Sequence, residues 1–129
     1  VSIINIAGGV ASATVQTATF TSFNSQIASL KASGVRIIGP GATVAQDVEP
    51  EYIAVAPDGL TAMVTLQENN AIAILDIASA TITQIIPLGA KDYSLPGNDI
   101  DPSDQDGGIN IQNWPVFGLY QPDAIASFS

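Results

Sequence analysis

Short apolar runs, separated by turn residues, follow one another from position 52 to position 88. Each run has the length and the β-branched or apolar composition of a strand. Pro57-Asp58-Gly59 and Asn69-Asn70 supply residues suited to tight turns, because Gly and Asn tolerate a positive φ. The pattern therefore predicts four strands, over residues 52–56, 61–66, 71–77 and 81–88.

Four strands within about forty residues is the length of one β-propeller blade. A blade buries its faces only against neighbouring blades, so the pattern predicts an all-β chain that is a segment of a β-propeller. Residues 51–88 would form one complete four-stranded blade, 1–6 the end of a preceding blade and 120–129 the start of the next. The expected partners are the remaining blades of a parent chain or copies of this chain.

The predicted start of the next blade at residue 120 depends on a short internal sequence repeat. Pro50-Glu-Tyr-Ile-Ala is repeated as Pro122-Asp-Ala-Ile-Ala. One blade plus an insertion accounts for the spacing between the two copies. The start at Val1, without Met or a signal peptide, fits a processed or partial product.

A first excursion from the strand pattern covers residues 7–41. Apolar residues recur there at helical spacing, at Phe20, Phe23, Ile27 and Leu30. The spacing predicts one short helix over 21–32 that ends near Gly34 and packs its apolar stripe on a sheet. Residues 35–38 are predicted as a strand and Tyr52 as a core residue.

A second excursion, residues 89–119, is polar and contains the densest acidic cluster. Closely spaced carboxylates repel one another, and a hard cation relieves the repulsion. Asp104-Gln-Asp-Gly resembles the middle of an EF-hand or dockerin loop, in which Ile109 would anchor the loop. The pattern predicts a calcium site formed by Asp99, Asp101, Asp104, Asp106 and Asn110. The alternative is a solvated acidic turn.

A second set of acids lies at the starts of two predicted inner strands: Glu49, Glu51 and Asp123. In a propeller such acids would face the central channel, where they could bind calcium and a phosphate substrate. Glu68 and Asn69 are expected at the opposite strand end, outside this cluster. The alternative is that the acids only terminate strands and keep the rim soluble.

Composition excludes several classes of function. Three basic and twelve acidic residues give a net charge of −9, which repels phosphate backbones, so no nucleic-acid partner is expected. The absence of His and Cys excludes a zinc site or a Ser-His-Asp triad within this segment. No apolar run is long enough for a transmembrane segment. No catalytic residue and no organic cofactor is predicted.

Several motifs together resemble the choice-of-anchor I family, whose members carry YVTN-type propeller repeats. They are Pro50-Glu-Tyr-Ile-Ala-Val-Ala-Pro-Asp-Gly, Leu66-Gln-Glu-Asn-Asn, Ser94-Leu-Pro-Gly and Asp104-Gln-Asp-Gly-Gly-Ile-Asn-Ile-Gln-Asn-Trp-Pro. The resemblance implies a secreted or surface-exposed bacterial protein, acting as a non-catalytic scaffold or binding module. The alternative that it implies is part of a calcium-dependent phosphoesterase, similar to alkaline phosphatases or phytases.

Overall fold

The computed structural model describes all residues from Val1 to Ser129. It consists mostly of antiparallel β-sheets, which confirms the all-β class. The strands are β1 (Ser2–Asn5), β2 (Thr14–Thr17), β3 (Pro50–Val55), β4 (Thr61–Leu66), β5 (Ala71–Asp76), β6 (Thr81–Pro87), β7 (Ala90–Asp92) and β8 (Phe117–Leu119). The α-helices are α1 (Ile27–Ser33) and α2 (Val44–Asp47), with 3₁₀ turns at Val10–Ser12 and Thr21–Gln26.

The chain divides into two compact units. The first unit contains Val1–Leu88 and Gln121–Ser129, and the second contains Gly89–Tyr120. All four predicted strands of the central blade occur in the first unit, in one sheet of order β3-β4-β5-β6. Adjacent strands in the chain are hydrogen-bonded neighbours, as in a meander.

The turns of this sheet use the residues that the sequence predicted. Gly59 has φ +69° between β3 and β4, and Asn70 has φ +50° between β4 and β5. Both lie in the left-handed region, which Gly and Asn tolerate best. Ala80, between β5 and β6, adopts φ +51° without such a preference.

One face of the sheet forms the core of the first unit. Side chains alternate between faces along a strand, and the buried alternating positions are Ala62, Val64, Leu66, Ala71, Ala73 and Leu75. The predicted helical stripe packs into the same cluster through Phe20, Phe23 and Leu30. Burial of these large side chains, each contributing about 1.5–3 kcal/mol, holds the helical segment on the sheet.

The predicted helix over 21–32 is present as a 3₁₀ turn followed by α1. Gly34 ends it with φ +105°, and its N–H donates to the carbonyls of Leu30 and Lys31. This left-handed C-terminal position is where Gly is most favoured. The stop signal was therefore predicted correctly, while the first turns are more tightly wound than predicted.

Two further predictions, a strand over residues 35–38 and a buried Tyr52, are wrong. Residues 35–38 form no strand, because their N–H groups bond to the carbonyls of Leu30 and Asn69 and to the carboxylate of Asp47 rather than to a neighbouring strand. Tyr52 is not a core residue: its side chain is 53% exposed. It lies on edge strand β3, whose register is interrupted between Pro50 and Ile53.

The first excursion begins with a strand that the sequence analysis missed. β2 pairs with β1 in a two-stranded antiparallel sheet, with Ile4 opposite Val15. All four residues of β2 are exposed, and half of them are threonine, so the apolar pattern that reveals β4 or β5 is absent. Val1 and Ile3 of this hairpin pack against the core cluster of the first unit.

Residues 121–129 form no strand in this structure. Two hydrogen bonds join this segment to the sheet of the first unit. The Gln121 N–H donates to the Asn70 side chain, and the Ser127 hydroxyl donates to the Val55 carbonyl. That the segment opens a further blade stays a prediction.

The second unit contains the small antiparallel sheet β7-β8 and an isolated bridge between Ile100 and Gln112. The Tyr93 ring lies against Gly118, where a Cβ atom would be 2.6 Å from a ring carbon. The ammonium group of Lys91 lies 5.1 Å from the centre of the same ring, within cation–π range. Gly118 therefore allows the ring to lie close to β8.

Candidate functional site

The turn between β4 and β5 carries two of the four buried polar residues of the chain. Asn69 and Asn70 are 1% and 0% exposed. A buried amide must be hydrogen-bonded, because leaving one unpaired costs about 1–3 kcal/mol. Their partners therefore identify which segments this turn joins.

Asn69 joins three segments through one side chain. Its side-chain oxygen accepts the backbone N–H of Glu49 at 3.0 Å. Its amide group donates to the Arg36 carbonyl at 2.7 Å, and to the carbonyl and carboxylate of Asp47 at 3.2 and 3.1 Å. The backbone N–H of Arg36 in turn donates to the backbone carbonyl of Asn69 at 2.9 Å. Asn69 thus fixes the connection between α1 and β3 to the end of β4.

Asp47 is buried at the end of α2 and is stabilised without a cation. Its carboxylate accepts the N–H groups of Ile38 and Gly39 in addition to the Asn69 amide. Gly39 is required for this approach, because a Cβ atom there would lie 2.7 Å from a carboxylate oxygen of Asp47. Several N–H donors aimed at one carboxylate satisfy its charge inside the fold.

Asn70 makes a similar connection on the other side of the turn. Its side-chain oxygen accepts the Gln121 N–H at 3.0 Å, and its carbonyl accepts the Leu88 N–H at 3.0 Å. The turn therefore connects the end of β6 and the C-terminal segment to the centre of the sheet. Asn69 and Asn70 together form the asparagine turn.

A cleft of about 440 Å³ opens beside the asparagine turn. Its lining includes the acidic residues Asp47, Glu49 and Glu68. The prediction that Glu68 and Asn69 lie at the opposite strand end from Glu49 is wrong. β3 and β4 are antiparallel, with Pro50 opposite Leu66, so the start of β3 lies beside the end of β4.

The predicted channel acids do not form a cation-binding group. Glu51 and Asp123 are exposed, and Glu49 alone of the three lines the cleft. No three His, Cys, Asp or Glu side chains in the structure come together in a way that could hold a metal ion. Calcium or phosphate binding by these acids requires a different arrangement of the side chains.

The acidic part of the second unit is organised by hydrogen bonds among its own residues. Asp101 accepts the Asn110 N–H at 2.9 Å, and the Asn110 amide donates to Asp106 at 3.4 Å. Asp101 and Asp104 line a wide-open concavity of about 580 Å³, and Asp99 is exposed. Of the five predicted ligands, Asn110 therefore contacts both Asp101 and Asp106.

The loop does not have the arrangement that an EF-like calcium site requires. Gly107 makes the expected sharp turn, with φ +80°. Ile109, however, is 88% exposed, so it does not anchor the loop as predicted. The carboxylates also do not converge on one point. As arranged here, the residues do not fit a bound calcium ion.

Two other acids have a perturbed pKa, and both shifts have a local cause. The Ser79 hydroxyl, followed by the Ser79 N–H, lowers the pKa of Asp76 below its ordinary value. The Ser94 hydroxyl and N–H lower the pKa of Asp92 in the same way. Both pairs are turn-stabilising hydrogen bonds at the surface, so neither shift indicates a catalytic acid.

The aromatic residues of the second excursion differ in exposure. Phe117 is 71% exposed and Tyr120 is 58% exposed, whereas Trp114 is partly buried. The Trp114 indole N–H is buried and has no hydrogen-bond partner.

The polar group formed by Asp47 and Asn69 was not predicted from the sequence. Sequence analysis predicted Asn69-Asn70 as a turn but gave neither residue a binding partner. Two consecutive Asn residues between apolar strands do not distinguish a buried turn from an exposed one, because Asn is common in both. Asp47 lies at the end of a four-residue helix, whose only sequence sign is the Thr43–Gln46 capping box.

The choice-of-anchor I domain model matches residues 1–129, the whole chain, which decides its classification. The chain belongs to the choice-of-anchor I family. The family name indicates a domain of proteins associated with the cell surface. No curated protein and no solved structure matches the chain. None of its helices has the length and apolar character needed to cross a bilayer.

Proposed function

We propose that this choice-of-anchor I domain is a non-catalytic scaffold or binding module of a secreted or cell-surface β-propeller protein. The observation that carries the proposal is the use of the buried polar residues: Asp47, Thr65, Asn69 and Asn70 all hold backbone segments together. Asp47 and Asn69 also line the cleft, but their polar atoms are hydrogen-bonded to neighbouring segments, whereas a catalytic group is free to contact a substrate.

Three features support a scaffold role. The family is surface-associated. The four-stranded sheet and the separate β1–β2 hairpin fit a repeated β-architecture. The net charge of −9 suits an exposed soluble surface and disfavours nucleic acid. The partners in this proposal are further blades of the parent protein or copies of the chain.

Calcium binding by the acidic loop of the second unit is a separate proposal. It requires Asp101, Asp104 and Asp106 to move together from the arrangement described above. A calorimetric calcium titration tests it, comparing the native chain with an Asp104→Ala/Asp106→Ala variant. Asp58→Ala is the control, since it also removes a turn carboxylate but lies outside the loop.

Saturable binding that is lost in the double variant and kept in Asp58→Ala would support a calcium-stabilised loop. No binding by the native chain would leave the acidic segment as a solvated turn. The alternative, a calcium-dependent phosphoesterase, predicts calcium-dependent turnover of a phosphomonoester by the parent protein. Loss of that turnover in a Glu49→Gln/Asp123→Asn variant would overturn the non-catalytic proposal.

A further inference from the structure

The β1–β2 hairpin is a structural repeat of the β5–β6 hairpin. Three cross-strand pairs match in order. Asn5–Thr14, Ile4–Val15 and Ile3–Gln16 correspond to Asp76–Thr81, Leu75–Ile82 and Ile74–Gln84. The repeat is confined to the strand pairs. The connecting loops differ, because Asn5 accepts the N–H of Ala7 two residues on, whereas Asp76 accepts that of Ser79 three residues on. The register of β6 also shifts between its partners Ile74 and Leu75, and that of β2 does not.

Equivalent aliphatic pairs in the two hairpins have opposite exposure. Leu75 and Ile82 are 2% and 3% exposed, whereas Ile4 and Val15 are 60% and 61% exposed. The first pair belongs to the core cluster, against which Val1 and Ile3 pack. The second pair, Ile4 and Val15, is also aliphatic, but no other side chains pack over it. Ile4 and Val15 together form the open face. Ile4 and Val15 are directly opposite each other and so form a contiguous apolar surface, and contiguous exposed apolar patches mark interfaces.

The interface inside the chain shows what would cover the open face. Val1 and Ile3 lie on the side of β1 opposite to Ile4, and they pack toward Leu75. The residues of β5 equivalent to Val1 and Ile3 are Ile72 and Ile74, which are only partly buried. By this equivalence, the side of β5 that carries Ile72 and Ile74 would pack on the open face of a second molecule, as Val1 and Ile3 pack toward Leu75 within one molecule.

We infer that this chain associates head-to-tail with a second copy of itself, the Ile72–Ile74 side of one copy covering the Ile4–Val15 face of the next. The contact repeats the packing already present between the β1–β2 hairpin and the four-stranded sheet. Because the two contacting surfaces differ, the interface is heterologous, and repetition gives a ring or an open chain. The inference extends the proposed scaffold role and depends on the strand repeat, not on calcium or catalysis.

Charge gives an independent expectation. Each copy carries a net charge of −9, so two copies repel one another at low ionic strength. Added salt screens this repulsion while leaving the apolar contact in place. Association should therefore strengthen as the salt concentration rises, opposite to the behaviour of an interface held by ion pairs.

Sedimentation velocity over a concentration series tests the inference directly. The native chain should self-associate, and Ile4→Asp or Val15→Asp should each weaken association by about tenfold or more, because a charge is then buried in an apolar contact. Both positions are exposed in the monomer, so the fold should survive, as checked by circular dichroism. Ile109→Asp, at an exposed position of the second unit, is the matched control and should leave association unchanged.

Mixing two variants tests the direction of the contact. Ile4→Asp retains a normal Ile72–Ile74 side, and Ile74→Asp retains a normal open face. Each should be monomeric alone, yet the mixture should form a 1:1 complex. Ile72→Asp replaces Ile74→Asp if the latter does not fold.

Three results would overturn the inference: a native chain that stays monomeric up to about 1 mM, association unaffected by Ile4→Asp, or variants that do not complement each other. The first would assign the open face to another segment of a parent protein. Calcium titration and phosphomonoester turnover are measured separately, so failure of the proposed function is distinguishable from failure of the association.

Discussion

Replacement of Asn69 by Ala tests whether the asparagine turn holds the first unit together. The substitution removes one acceptor, used by the Glu49 N–H, and an amide group that donates to Arg36 and Asp47. Asn69 does not have a positive φ, so Ala introduces no backbone strain. The effect therefore measures the side-chain hydrogen bonds and the groups that they leave unpaired.

The expected loss follows from the kind of partner. A neutral hydrogen bond contributes about 1 kcal/mol net, and one to a charged group about 1.5–3 kcal/mol. Asn69 bonds to two backbone segments and to the Asp47 carboxylate, and its position is 1% exposed, so water replaces it poorly. The free energy of unfolding should fall by about 3–5 kcal/mol, a large fraction of the stability of a small domain.

Equilibrium unfolding in urea, followed by circular dichroism, measures this loss. Asn24→Ala is the control, because the Asn24 side chain accepts one hydrogen bond, from the Ala45 N–H at 2.9 Å. It should cost about 1 kcal/mol. If the two variants differed by less than about 1 kcal/mol, the asparagine turn would not have the role described here.

Two further predictions concern single contacts. Ser79→Ala should raise the pKa of Asp76 toward its ordinary value, as measured by carboxyl NMR titration, because the hydroxyl and its bond are lost. Since the folded-state pKa of Asp76 is lowered, its contribution to stability is present above the ordinary Asp pKa and is lost as the pH falls through the folded value. Ser79→Ala should reduce this pH-dependent contribution of Asp76 to the stability. An unchanged Asp76 pKa in the variant would contradict the prediction. Gly39→Ala should lower the free energy of unfolding by about 1–3 kcal/mol, because the added Cβ atom would lie 2.7 Å from a carboxylate oxygen of Asp47. Gly108→Ala, where a Cβ meets nothing within 4 Å, should be close to neutral, and equal effects would refute the steric argument.

The sequence by itself determined the strands of the central sheet. The strands β4, β5 and β6 are present where the apolar runs predict them, because each run is bounded by turn residues that act locally. The same locality explains why Gly34 correctly marks the end of α1. It also explains why β2 was missed, since a short exposed strand rich in Thr has no apolar pattern.

The tertiary structure alone decided which polar residues are buried. Asn69 and Asp47 are separated by 22 residues, and each stands among residues that are common in exposed turns. Their contact depends on the antiparallel pairing of β3 with β4, which also places Glu68 beside Glu49 rather than at the far end of the sheet. Equivalent pairs such as Leu75–Ile82 and Ile4–Val15 are likewise indistinguishable by composition. Burial depends on what packs above a residue, and strand periodicity determines only which side of the strand the residue occupies.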